Sequence, residues 1–240
     1  MERLVLSIDL AKELYRLACL GRMMGGLIHN LNGPLHGLGI ELDMVRMAIA
    51  KKGAQGPDPA ALENRLGGME REIETLDRLI RLCSARTDDA AVIPFVDING
   101  LLRDESEFLQ ANLYYKHQVA TVLDLAQGMP VIESPPADLI LGVQWLFREV
   151  VADMERQGST SLLVATRYEN HTRRISFVVS GKPLSTKFGD FLSGSVEQRT
   201  LSPSSITDLG LILSTALLQS SGVSLVTKNL TDESRIDLTL

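Results

Sequence analysis

Leu10, Leu14, Leu17, Gly21, Met24, Ile28, Leu31, Leu35, Leu38, Leu42, Val45 and Ile49 follow one another at alternating steps of four and three. Each pair of steps advances close to two helical turns, so these apolar and small positions form one heptad seam of about forty residues. Lys51 and Lys52 end it, and Gly53-Ala54-Gln55-Gly56-Pro57-Asp58-Pro59 is a turn cluster that no helix crosses. The period resumes at Leu62, Leu66, Met69, Ile73, Leu76, Ile80 and Cys83, with Glu70, Arg71, Glu72, Glu74, Asp77, Arg78 and Arg81 outward. Residues 7 to 87 therefore read as a helical hairpin. A lone hairpin leaves an apolar stripe uncovered, and two copies pairing into a four-helix bundle cover it, so a homodimer is expected.

The seven-residue period stops at Thr87-Asp88-Asp89-Ala90-Ala91. Beyond it, short β-like runs alternate with helical ones: Val92 to Asp97, helix Ile98 to Leu113, Val119 to Leu125, and a helix starting at Ser134-Pro135-Pro136 and running to about Arg156. Ser134 suits an N-cap and the prolines suit a first turn. Ser161 to Tyr168 and Arg174 to Val179 read as paired strands around Glu169-Asn170-His171-Thr172. Residues 181 to 205 read as a loop. Helix Thr207 to Ser220 and strands Val223 to Thr227 and Arg235 to Thr239 complete the pattern. The expected fold is α+β, with a hairpin domain over 1–89 and a mixed-sheet domain with helices on one side over 90–240.

Composition narrows the function. The 240 residues are 45% hydrophobic and 22% charged, a globular balance that excludes disorder. Lys plus Arg is 24 against 30 for Asp plus Glu, with no basic block, so nucleic acid is not an expected partner. Cys19 and Cys83 are the two cysteines, and neither has metal-ligand spacing. The first turns carry Glu2, Asp9 and Glu13, unlike a signal peptide, and no apolar run reaches membrane-span length. A cytoplasmic protein without a membrane partner is expected.

The densest chemical candidate is Gly21-Arg22-Met23-Met24-Gly25-Gly26-Leu27-Ile28-His29-Asn30-Leu31-Asn32-Gly33-Pro34-Leu35. Pro34 withholds its N–H from the helical ladder, which predicts a kink just past His29. His29 lies one step from seam residue Ile28, so its imidazole points away from the bundle centre. A neutral imidazole there can attack a phosphoryl group. His36 occupies the equivalent flank beside Leu35, and spacing alone reads both as ordinary surface histidines.

This stretch resembles the phosphoacceptor box of two-component sensor histidine kinases, of the form His-Glu-x-Asn-Asn-Pro-Leu. His29, Asn32, Pro34 and Leu35 match in register, and the hairpin followed by an α+β domain matches that family's catalytic core. The resemblance implies that His29 is a phosphoacceptor, with Asn30 or Asn32 orienting the imidazole or the phosphoryl oxygens. It also implies departures. Asn30 stands where the family has an acidic base, and Asn cannot accept a proton at neutral pH. Gly33 stands where many members hold a polar side chain that positions water.

The second domain resembles the family's ATP-binding domain, an α/β sandwich, in order of elements only. Asp153 falls where a magnesium-binding Asn is expected. Through Phe177-Val178-Val179-Ser180-Gly181-Lys182-Pro183, the adenine-reading Asp becomes Val179 and the second glycine of that box becomes Pro183. The phosphate loop is reduced to Ile206-Thr207-Asp208-Leu209-Gly210-Leu211, with Asp208 placing a negative charge against a triphosphate. Asp153, Gly181 and Gly210 thus mark a degenerate nucleotide site. The resemblance implies a dimeric histidine phosphotransferase or pseudokinase whose partner is a response-regulator receiver domain, with no cofactor and no resident metal. One alternative is an ATP-dependent sensor kinase using Mg-ATP at an unusual site; the other is a non-enzymatic dimeric adaptor.

Overall fold

The computed structural model describes residues 7–50, 58–84, 94–193 and 209–240. The turn cluster from Gly53 to Pro57, the heptad break at Thr87 to Ala91, and Ile206-Thr207-Asp208 lie outside the described residues. Two helices open the chain, α1 (Ile8–Ala50) and α2 (Pro59–Ser84). At 43 residues α1 is about 65 Å long. It continues as one helix through Pro34. Among the described residues, no helix is long and apolar enough to cross a membrane.

The chain divides into two compact units, Gly21–Asp89 and a second that joins Met1–Leu20 to Ala90–Leu240. The first turns of α1 therefore pack with the α/β unit, whereas the heptad pattern assigned all of residues 1–89 to the hairpin. The reason is a second apolar line at steps of four, Ala11, Tyr15 and Cys19, which is buried against Trp145, Leu213 and Leu217.

In the hairpin unit α1 and α2 meet through half-buried positions seven apart. Leu31, Leu38 and Val45 on α1 and Leu62, Met69, Leu76 and Cys83 on α2 are partly covered. Gly68 lets the helices approach closely, with Glu41 of α1 against it, and Arg65 donates to Glu41 Oε2 at 3.2 Å. The alternate members of the same seams face outward: Ile28, Leu35, Leu42 and Ile49 on α1, and Leu66, Ile73 and Ile80 on α2, are all exposed.

In the α/β unit, β1 (Phe95–Val96) pairs with β3 (Ile132–Glu133) as a small ribbon. The main sheet orders β2 (Ala120–Asp124), β4 (Ser161–Glu169), β5 (Thr172–Ser180), β7 (Glu233–Thr239) and β6 (Ser224–Asn229) from edge to edge. Among the described residues, only β2 and β4 run parallel. Parallel neighbours need a crossover, and α5 (Ala137–Gln157) lies in that connection. β4 and β5 turn at Asn170 and His171, both at positive φ, the geometry of a two-residue hairpin loop.

Alternation builds the core. Leu162 and Val164 of β4, Ile175, Phe177 and Val179 of β5, and Ile236 and Leu238 of β7 are buried, and the Phe147 ring of α5 packs tilted against Phe177, centroids 5.2 Å apart. The run expected as one helix from Ile98 to Leu113 is α3 (Ile98–Phe108), a 3-10 turn (Leu109–Ala111) and α4 (Leu113–Gln118). Asp97 and Asn112 cap α3 and α4 by accepting the backbone N–H of Asn99 and Tyr115. Ser134 is not a helix cap: it bends the chain at positive φ, and Pro136 precedes the first turn of α5 without a side-chain cap. Within residues 181–205, expected as loop, α6 (Thr186–Ser193) buries Phe188 and Leu192. α7 (Leu209–Ser220) packs beside α5.

One buried ion pair joins α3 to α5. Arg148 donates from Nε to Glu105 Oε1 at 2.6 Å and from its second arm to Oε2 at 3.2 Å. Burial alone would lower the Arg148 pKa, but the Glu105 charge and hydrogen bonds outweigh it and hold the guanidinium firmly charged. Removing one partner strands the other charge in the core. Glu105→Ala is therefore expected to cost about 3–5 kcal/mol in urea unfolding, whereas the double change Glu105→Leu with Arg148→Met is expected to cost much less.

Candidate functional site

His29 lies on α1 in the hairpin unit and is exposed. Its neighbours divide by face. Leu27 and Pro34 are buried, Asn30 and Leu31 are half-buried, and Asn32, Gly33 and Leu35 are exposed with His29. One residue turns the helix by 100°, so His29 stands beside the outward stripe through Ile28 and not on it. His36, Asp43 and Ala50 continue the His29 flank at steps of seven and are also exposed. A beta carbon added at Gly25 or Gly33, one turn to either side of His29, would meet nothing within 4 Å. The imidazole thus projects from a face with little side-chain cover. An exposed imidazole can attack, through a ring nitrogen, a phosphorus presented from solvent, and His36 is exposed on the same flank.

Asp153, Val179, Gly181 and Gly210, which the family resemblance places at a nucleotide site, lie in the α/β unit, and each is engaged within the protein. Asp153 of α5, 1% exposed, accepts from the backbone N–H of Ser185 at 2.7 Å, from Ser185 Oγ at 3.0 Å and from Arg156 at 2.9 Å. Its carboxylate ties the segment before α6 to α5. Val179 sits in the ladder between Leu162 and Ser234 and is fully buried. Gly181 takes positive φ, 96°, and donates its N–H to the Asp232 carbonyl at 2.9 Å. That conformation suits glycine.

Gly210 is the most constrained of these. A beta carbon there would run into the Tyr15 ring and Glu149 Oε1. Tyr15 Oη donates to Glu149 Oε1 at 2.7 Å, and the Tyr15 ring meets Trp145 edge-on at 4.7 Å. Burial, then the neighbouring Glu149 charge, raises the Tyr15 pKa well above its ordinary value, so the phenol stays a donor. Asp153 and Gly210 therefore serve two separate internal contacts. Among the described residues, no group of three His, Cys, Asp or Glu side chains is placed to hold a metal ion.

Sequence reading missed Tyr15 and Glu149. The available signal was Tyr15 as an aromatic among aliphatic seam residues, at four-residue spacing from Ala11 and Cys19. Asp153→Ala is expected to lower stability by about 1–3 kcal/mol through loss of the Ser185 bonds. Millimolar Mg²⁺ is expected to leave the melting temperature of the unaltered protein in place, and a saturable rise would assign Asp153 to a cation.

No protein-family model matches the chain, and no curated protein matches it. Among solved structures, it is similar to a bacterial phosphotransferase at 12% identity and a TM-score of 0.46, covering 92% of this chain and 96% of that one. It is similar to the Acinetobacter baumannii histidine kinase AdeS at 13% identity and a TM-score of 0.46, over 88% and 96% of the two chains. It is also similar to histidine kinase ThkA in a complex with the response regulator TrrA, at 16% identity and a TM-score of 0.46, over 94% and 63%.

Proposed function

We propose that this chain is a dimeric histidine phosphotransferase of two-component signalling, passing a phosphoryl group between His29 and the aspartate of a receiver domain without using ATP. The observation that carries the reading is the pairing of an accessible His29 with a nucleotide site whose marking residues are spent on internal contacts. Val179 offers no acceptor to an adenine amino group, Asp153 is committed to Ser185 and Arg156, and Gly210 is packed under Tyr15 and Glu149. A site built around a hydrogen bond fails badly when the bonding group is missing.

The chemistry asks little of the chain. A ring nitrogen of neutral His29 attacks the phosphorus of an aspartyl phosphate, the N–P bond forms, the P–O bond breaks, and the carboxylate departs. The reverse step delivers the group to a second receiver. Magnesium belongs to the receiver, and no base on the hairpin is needed, which accommodates Asn30 where an acidic residue would stand. Asn32, exposed one turn from His29, orients the phosphoryl oxygens.

Mixing the protein with a ³²P-labelled receiver is expected to move acid-labile label onto it, and His29→Ala is expected to abolish the transfer. Label that survives in the variant would remove His29 from the reaction. Receiver binding with no transfer in either protein would identify an adaptor. Calorimetry with millimolar Mg-ATP is expected to show no binding heat, and a micromolar dissociation constant would restore the ATP-dependent kinase.

The dimer rests on the outward stripe, Ile28, Leu35, Leu42 and Ile49 with Leu66, Ile73 and Ile80. Side chains seven apart on two adjacent helices form a straight seam that a second copy fits by the same heptad packing. His29, a step around the helix, stays at the rim. Ile28→Asp with Ile73→Asp is expected to convert a dimer to a monomer in sedimentation equilibrium, and an unchanged mass would place the interface elsewhere.

A further inference from the structure

Tyr15 makes a contact that the proposed transfer does not use. Its ring belongs to a buried cluster with Ala11, Cys19, Trp145, Leu213 and Leu217. Its hydroxyl reaches Glu149 Oε1 at 2.7 Å, a carboxylate that is itself buried. One side of the ring lies where a side chain at 210 would have to begin, so only glycine at 210 admits it. At the rim, Lys12 Nζ donates to Asp138 Oδ1 at 3.0 Å. Apolar walls, one edge-on aromatic and one buried acceptor opposite the hydroxyl are the components of a binding site for a hydroxyphenyl group.

We propose that Tyr15 is a built-in ligand of the α/β unit: its hydroxyphenyl group fills, from within the chain, a recess formed by Gly210, Glu149, Trp145, Leu213 and Leu217, and holds it closed to any other occupant. The inference rests on the nucleotide-free reading of the unit and deepens it. Gly210, the residue left of the would-be phosphate loop, seats Tyr15, because a beta carbon there would meet its ring. Glu149, one turn before Asp153 on α5, faces inward to receive the phenol. A carboxylate there repels phosphate and accepts from a phenol, so the recess selects for the group that fills it.

Trp145 is the chain's single tryptophan, and its ring centroid lies 4.7 Å from that of Tyr15, so its fluorescence reports the occupant directly. Tyr15→Ala is expected to shift Trp145 emission and to lower the melting temperature by roughly 10 °C. Millimolar p-cresol, the side chain supplied free, is expected to recover at least half of that loss in Tyr15→Ala. Toluene is expected to recover less, and neither compound is expected to move the unaltered protein. Equal shifts by p-cresol in the two proteins would overturn the proposal, as would a saturable change of Trp145 emission on adding Mg-ATP to the unaltered protein. Should Tyr15→Ala fail to fold, Tyr15→Phe and Glu149→Gln supply the test through a double-mutant cycle. A coupling of about tenfold in the folding constant supports the pairing, and additive losses overturn it. Transfer at His29 is read on label and moves none of these signals, so failure of the transfer reading and failure of the Tyr15 assignment are separate results.

Discussion

A two-helix hairpin can bury one apolar stripe per helix, and α1 and α2 each carry two. That surplus governs much of the chain. Leu31, Leu38 and Val45 meet the α2 positions around Leu62, Met69 and Leu76, and the intervening seam residues are left outward. Water against a line of Leu and Ile is costly at about 25 cal/mol per Å² of apolar surface, which is the physical reason to expect a second copy. The first turns of α1 meet the same constraint in a different way. There the second apolar line, Ala11, Tyr15 and Cys19, is covered by α5 and α7 of the α/β unit.

Covering that line has a chemical consequence. A helix docked by a tyrosine needs a recess, and the recess lies between α5 and the start of α7, beside the residues that the histidine-kinase resemblance assigns to nucleotide. Glu149 and Gly210 are shaped around Tyr15, and Asp153 around Ser185. The two internal contacts leave the Glu149 and Asp153 carboxylates hydrogen-bonded within the chain. The proposed transfer places its chemistry elsewhere, on His29 of a separate helical face.

Sequence periodicity carried the hairpin well, because a heptad is a local signal that survives whatever the helix packs against. It could not say which of two equally aliphatic stripes faces inward, since Leu31 and Leu35 differ in surroundings and not in chemistry. The paired strands around Asn170 and His171 were legible from turn residues that tolerate positive φ. α6 was not, because Ser, Lys and Gly around Phe188 and Leu192 mask the two side chains that bury it. Ser134 matched the chemistry of an N-cap, yet the two prolines after it shift the helix start past its reach. The exposure of His29 was legible from its place one step off the seam. The role of Gly210 was not, because its partner Tyr15 is close to two hundred residues away in the chain and no local pattern links them.

The most direct measurement exposes one preparation of the protein, side by side, to ³²P-labelled receiver and to γ-³²P-ATP with Mg²⁺, and follows label on His29. The account predicts rapid labelling from the receiver and none from the nucleotide. Labelling of His29 from ATP alone would contradict it.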